Sequence, residues 1–268
     1  MRLAVEKTYK LYVGGKFIRS ESGRVLRVQR GGSSINVCSA SRKDFRDAME
    51  HARKAQAGWA ARSGYNRGQI LYRLAEMLEG RRETLPTDAD DGARAIDRAV
   101  HHAGWSDKIS ALLSSLNPVA SAHVNYSMLR PVGVVVAAPA AEDGLTGMVE
   151  ALCAATVMGN AVHLFVPAKL AELAAALIES LATCDMPGGV VNVLMADVPA
   201  LLNWANHHDD LDCIYLARGA LEREALAELE REAARVMRRV VIVEGAREPA
   251  TPQTLERLAE VQTVWMSS

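Results

Sequence analysis

The chain has 268 residues, 49% of them hydrophobic, enough to bury a full core as one large α/β domain or a domain plus a small appendage, which excludes a peptide or a disordered tail. Lys and Arg total 31 against 32 Asp and Glu, a formal net charge of -1, so the balance argues against nucleic acid or an anionic membrane as partner. Residues 1–7 hold no apolar leader core and no apolar run approaches the ~20 residues that spanning a bilayer requires, so the expectation is a cytoplasmic protein.

From the N-terminus, residues 10–13 and 16–18 flank Gly14-Gly15, a turn whose glycines tolerate positive φ, and predict a β-hairpin. Ser41, with Asp44 three residues on, predicts the cap of a helix whose apolar face runs Phe45, Ala48, Met49, Ala52 and Trp59. A second helix carries Ile70, Leu71, Leu74 and Leu78. Residues 85–92 break the pattern, a third helix is predicted over 93–109, and Asn117-Pro118 ends the helical layer.

Beyond Pro131 the rhythm becomes short continuous apolar runs at 132–138, 161–166, 190–195, 211–216 and 240–244. Continuous hydrophobicity marks strands buried on both faces, as in a parallel sheet. The intervening stretches 145–157, 169–183, 198–205 and 221–238 are long enough to be right-handed crossovers, so the expected fold class is α/β, a doubly wound, Rossmann-like parallel sheet. In the last crossover, Glu222, Glu224 and Glu228 come early and Arg235, Arg238 and Arg239 late, complementing the helix dipole.

Other clusters carry less chemistry. Cys38, Cys153, Cys184 and Cys213 form no C-x-x-C pair and read as reduced structural thiols. His207-His208-Asp209-Asp210 reads as a solvated loop rather than a metal site, because adjacent side chains diverge. His101-His102 lies in a helical stretch where one ring packs and the other meets water, and Gly188-Gly189 after Pro187 reads as a turn without phosphate-loop spacing.

Several segments together resemble the aldehyde dehydrogenase superfamily: Tyr12-Val13-Gly14-Gly15-Lys16-Phe17, Trp59, Arg67 through Glu79, Pro131-Val132-Gly133-Val134-Val135, Gly159-Asn160-Ala161-Val162, and Met186-Pro187-Gly188-Gly189-Val190-Val191-Asn192-Val193. The resemblance implies that family's cofactor-type domain over 1–246 with a small β oligomerisation arm at 121–130. It further implies a connection, 247–254, in place of the catalytic domain, and an oligomerisation strand at 255–268. A truncated form results, similar to the second module of family 16 aldehyde dehydrogenases.

The same resemblance, carried residue by residue, predicts a degenerate site. The asparagine that donates to the developing oxyanion is Glu142 here, and an ionised carboxylate accepts rather than donates. The ribose-holding lysine and glutamate fall on Phe165 and Ala168. The glycines that let backbone approach the pyrophosphate fall on Arg218 and Arg223. The general-base position falls on Val243, with Glu244 displaced by one and expected to face away from the cleft. The cysteine nucleophile has no counterpart, and without a thiolate no thiohemiacetal forms.

The expectation is therefore a catalytically inactive, oligomerising structural or regulatory subunit with no catalytic residue, metal or cofactor, NAD having been lost. Its partners would be itself or a full-length aldehyde dehydrogenase, through His123, Tyr126, Val261, Thr263, Val264 and Trp265. Two alternatives stand beside it: a component of an NAD(P)-dependent aldehyde oxidoreductase whose active site a partner supplies, and a ligand-binding module that holds an anion through Arg218 and Arg223.

Overall fold

A computed structural model describes residues 6–30, 32–246 and 248–267. Residues 1–5 of the leader reading, Arg247 of the predicted connection and Ser268 of the predicted closing strand lie outside the described residues.

The elements run β1 (Thr8–Tyr9), β2 (Leu11–Val13), β3 (Lys16–Ile18), β4 (Val25–Arg30), β5 (Ser33–Cys38), α1 (Arg42–Ala60), α2 (Gly64–Glu79), α3 (Ala89–Trp105) and α4 (Ile109–Leu113). They continue with β6 (Ser115–Asn117), β7 (His123–Pro131), β8 (Val134–Ala138), α5 (Gly144–Val157), β9 (Ala161–Pro167), α6 (Ala171–Leu181), β10 (Val191–Ala196) and α7 (Val198–Asn206). The last are β11 (Cys213–Ala217), α8 (Arg223–Arg235), β12 (Arg239–Val243), α9 (Pro252–Glu256) and β13 (Ala259–Ser267).

A seven-stranded sheet in the order β12-β11-β8-β9-β10-β2-β3 forms the centre. The five strands from β12 to β10 are parallel, and β2 and β3 add an antiparallel edge. The first parallel strand, β8, lies inside the sheet; the chain winds outward through β9 and β10, then returns to the other side of β8 through β11 and β12. This is the doubly wound arrangement expected from the continuous apolar runs; β8, β9, β10 and β11 are buried almost throughout, whereas the edge strand β12 is half-buried with only Val241 fully covered.

The hairpin of β2 and β3 turns at Gly14 and Gly15, both at positive φ (61° and 81°). Gly188 packs against that turn so closely that a Cβ on it would stand 2.7 Å from the Gly14 carbonyl oxygen. The Gly188-Gly189 turn thus seats the hairpin. Ser41 caps α1 in a reciprocal box: its hydroxyl accepts from the Asp44 amide at 3.1 Å, and the Asp44 carboxylate accepts from the Ser41 amide at 2.8 Å.

The structure differs from the sequence reading in several places. The third helix begins at Ala89, capped by Asp88, and ends at Trp105, with α4 separate beyond it. Asp91, in the segment read as a break, is buried and caps the N-terminus of α5 from outside that helix. Its carboxylate accepts from the amides of Leu145 (2.9 Å) and Thr146 (3.0 Å) and from the hydroxyls of Thr146 and Thr87 (both 2.6 Å). Burial pushes this carboxyl up, but those hydrogen bonds outweigh it and hold it below the usual aspartate value.

Strands β4 and β5 lie in a region given no element, within a separate three-stranded sheet in the order β1-β5-β4. Helix α8 ends at Arg235, so Arg238 and Arg239 are not in its last turn. Met237 adopts φ 53°, the chain reverses, and Arg238 turns its guanidinium onto the carbonyls of Asn206, His208 and Leu211 beyond α7. The stretch read as a closing strand from residue 255 is helical first: α9, capped by Thr251, buries Leu255 before β13 starts at Ala259.

Candidate functional site

In doubly wound sheets, ligands enter beyond the carboxyl ends of the strands, where the winding direction reverses. Here that place is between β8 and β11. A cavity of about 550 Å³ opens there, bounded by Glu142, Tyr215, Val243, Glu244, Glu248 and Thr254 among others. A second, of about 440 Å³, is bounded by Pro139, Pro167, Ala168, Lys169 and Asp197, and a third, of about 370 Å³, by Arg218, Gly219, Leu221 and Arg223.

The residues expected at degenerate positions are distributed over these cavities. Glu142 lies on the wall of the first, and its Oε1 would stand 2.9 Å from a Cβ placed on Gly219, whose φ is 94°. The carboxylate therefore occupies the space over that loop. Val243 and Glu244 both line this cavity. The expectation that Glu244 faces away is corrected, because β12 ends at Val243 and the strand alternation stops before Glu244.

Arg218 is paired with Glu244 at the surface, its Nε lying 2.9 Å from each carboxylate oxygen. Arg223 is the first residue of α8 and lines the third cavity. Of the pair expected at the ribose contacts, Ala168 lines the second cavity and Phe165 does not. Phe165 is fully buried, its ring 5.7 Å edge-to-face from Phe45, while Lys169 stands at the cavity wall instead.

Beneath the first cavity lies an ionic cluster that sequence reasoning missed. Glu150, only 4% exposed within the apolar helix α5, accepts from the Ala250 amide at 2.8 Å, lies 3.0 Å from Nε2 of the fully buried His102, and pairs with Arg98 Nε at 3.4 Å. Arg98 also donates to the Ala246 carbonyl at 3.0 Å. The cluster fastens the segment after β12 to α3 and α5. Burial pushes the Glu150 carboxyl up, yet His102, the Ala250 amide and Arg98 together hold it below the ordinary glutamate value. The available signal was a lone carboxylate on a helix otherwise apolar on every side.

The four cysteines are free and buried, and none lines the cavity shared by Glu142, Val243 and Glu244. Burial raises the thiols of Cys184 to about 11 and Cys213 to about 12, and lifts Cys153 well above the ordinary value, so none of these three is a thiolate at neutral pH. His101 is partly buried beside the fully buried His102. His207 approaches the Asn203 carbonyl at 2.7 Å, and the His208 ring packs 5.6 Å from Phe45. Among the described residues no group of three or more His, Cys, Asp or Glu is placed to hold a metal ion. Nor, among them, is any helix long and apolar enough to cross a membrane.

The residues expected at an interface meet in a third sheet, ordered β13-β7-β6. Strand β13 lies antiparallel along β7 from Ala259↔Pro131 to Ser267↔His123. Alternation divides the six residues. Tyr126 and Val264 pair directly on one face, near Leu116, Val124 and Met266; His123, Val261, Thr263 and Trp265 fall on the other. Val261 and Trp265 are 60% and 61% exposed.

Compared with known proteins, residues 18–250 match the aldehyde dehydrogenase family. The chain is 30% identical to DhaS of Bacillus subtilis (strain 168) over 209 residues, covering 71% of this chain and 41% of that protein. It is 23% identical to the alpha-ketoglutaric semialdehyde dehydrogenase of the same organism over 253 residues, covering 84% of this chain and 51% of that one. The chain thus spans about half, or less, of the length of these relatives. Among solved structures, the NAD-dependent aldehyde dehydrogenase of Sinorhizobium meliloti superposes with a TM-score of 0.81 at 21% identity, over 89% of this chain and 50% of that one. The NAD+ complex of an aldehyde dehydrogenase from Bacillus cereus gives 0.79 at 23% identity, over 88% and 50%. At these identities the likeness concerns the fold.

Proposed function

Because the chain belongs to the aldehyde dehydrogenase family, matching it over residues 18–250, we propose that it is a catalytically silent member whose role is assembly, as a structural or regulatory subunit in the cytoplasm. The observation that carries this reading is the open edge of β13. That strand pairs with β7 along its whole length but has no neighbour on its other side among the described residues. Its sequence, AEVQTVWMS, contains no proline or lysine, and its one charge, Glu260, is paired with Arg239 at 2.7 Å. An unguarded nine-residue edge is a template for another chain, and pairing satisfies its backbone groups. The proposed interface is the edge of β13 with the exposed apolar residues beside it, Val261, Trp265 and Met266.

Light scattering on the intact chain at micromolar concentration is expected to give a dimer or larger. Removal of residues 261–268, or the double variant Val261→Lys/Trp265→Lys, is expected to yield monomers or precipitate. Truncation from Leu258 would confuse the test, since Leu258 is fully buried and its carbonyl accepts from Asn160 Nδ2 at 2.9 Å. An intact chain that is a soluble monomer, unchanged by the truncation, would overturn the assembly reading. If a complex with a full-length aldehyde dehydrogenase forms and raises aldehyde oxidation, the chain is instead a component of that enzyme.

Silence in catalysis and loss of NAD form the second part of the proposal. The carboxylate of Glu142 over Gly219 supports it, because a pyrophosphate approaching that loop would meet like charge. Alone, the protein is expected to show no NAD- or NADP-dependent aldehyde oxidation and no rise in melting temperature with millimolar NAD. Cofactor at a ~100-fold excess over its Kd would add about 2.7 kcal/mol. Turnover that scales with protein concentration, or a clear thermal shift with NAD, would sink this part.

A further inference from the structure

Resting on the assembly reading above, we propose that the partner taken by the β13 edge is a second copy of this chain, seated antiparallel about a two-fold axis at Thr263. The two copies then share one six-stranded sheet in the order β6-β7-β13-β13-β7-β6. Both copies use the same edge, so the contact closes as a dimer rather than growing into a fibre.

Two observations select a copy of the same strand. The first is a row of hydrogen-bonded side chains that crosses the three-stranded sheet on one face and ends at its open edge. Asn117 Nδ2 donates to Ser127 Oγ at 2.9 Å, and Ser127 Oγ lies 2.9 Å from Thr263 Oγ1. Thr263 is exposed and is the middle residue of β13. A two-fold axis there sets it against the partner's Thr263, and threonine hydroxyls directly opposite are favourable cross-strand neighbours. The row then runs on into the second copy.

The second is the pattern on either side of Thr263. Val261 and Trp265, 60% and 61% exposed, flank it on the same face at equal spacing, so the same axis sets Val261 opposite the partner's Trp265, and does so twice. An aromatic beside a β-branched side chain is a favourable cross-strand pair. On the other face Gln262 meets the partner's Val264, and Glu260, already paired with Arg239 at 2.7 Å, meets the partner's Met266. The one charge of the strand therefore faces no like charge. Other registers do worse. A slip of one residue sets side chains of opposite faces against each other, a slip of two separates Val261 from the partner's Trp265, and a register centred on Glu260 brings two carboxylates together.

The test treats the full chain carrying Thr263→Cys with 1,2-bismaleimidoethane, a short bridge between thiols; the four native cysteines are buried, and the parent chain gives their background. Light scattering on each variant comes first. Thr263→Cys is expected to give about tenfold more covalent dimer than Ser267→Cys, whose two copies lie on the order of 26 Å apart at ~3.3 Å per residue. A nitroxide on Ser267→Cys should report that separation, about 25–30 Å, by dipolar spin resonance. Adding Val261→Lys/Trp265→Lys to Thr263→Cys should abolish the bridge. A dimer that Thr263→Cys bridges no better than Ser267→Cys, or whose spin separation falls outside that range, overturns this inference and leaves the assembly reading standing. A monomer overturns both, and assembly that needs an added full-length aldehyde dehydrogenase overturns the second copy as partner.

Discussion

Replacing Glu150 with glutamine is expected to destabilise the protein by about 3–5 kcal/mol at pH 7, because it leaves Arg98 and His102 facing each other without their shared carboxylate. For a chain of this size that is a fall in melting temperature on the order of 10 °C. The pH dependence has a definite sign. The folded-state value of Glu150 lies below its ordinary one, so its contribution is present above the unfolded-state value of roughly 4.3 and is lost as the pH falls through the lower folded value. Parent and variant should therefore converge in acid. Thermal melts from pH 7 to 3.5 check this, and a Glu150→Gln protein that melts within about 2 °C of the parent at pH 7 would refute it.

His163→Leu is expected to act in the opposite direction. His163 is fully buried in β9, both ring nitrogens lack a hydrogen bond, and its ring packs 5.6 Å from Phe45. Burial, assisted by nearby His208 and Arg53, lowers its value from 6.5 to about 3. The unfolded chain takes up the proton first, so stability is unaffected above pH 6.5 and declines as the pH falls towards 3, by up to ~1.4 kcal/mol per pH unit. Leucine, close in volume, removes both the proton uptake and two unsatisfied polar atoms. The variant should gain about 1–3 kcal/mol at pH 7 and roughly 2 kcal/mol more at pH 5. Equal differences at the two pH values, measured by urea unfolding, would show that His163 does not titrate as described.

The strands that make the sheet were legible because burial on both faces leaves an unbroken apolar run, and the Ser41 cap was legible because its partner is three residues away. What escaped was long-range. Asp91 caps a helix that begins 53 residues later, and nothing local distinguishes it from the aspartates beside it. Strands β4 and β5, six residues each, are largely half-exposed or exposed, so neither gives the unbroken apolar run that marks the central strands. The end of α8 was misjudged because the arginines beyond it matched the helix dipole, whereas positive φ at Met237 ends it first. In the site, the pairing of charges was not legible: the alternative that made Arg218 part of an anion anchor took no account of Glu244, which lies 26 residues on and pairs with it.

The hairpin of β2 and β3 also bears on how the chain is made. Its inner strand, Leu11–Val13, is buried and joins the sheet only through β10, with Tyr12 opposite Val193. At roughly 5–20 residues per second, the ribosome exposes this apolar hairpin for about 10–35 s before its partner strand emerges. During that interval Leu11 and Val13 have no sheet to cover them. The hairpin is synthesised well before the strand on which it docks, so the growing chain carries this uncovered apolar surface far upstream of its most recently made part.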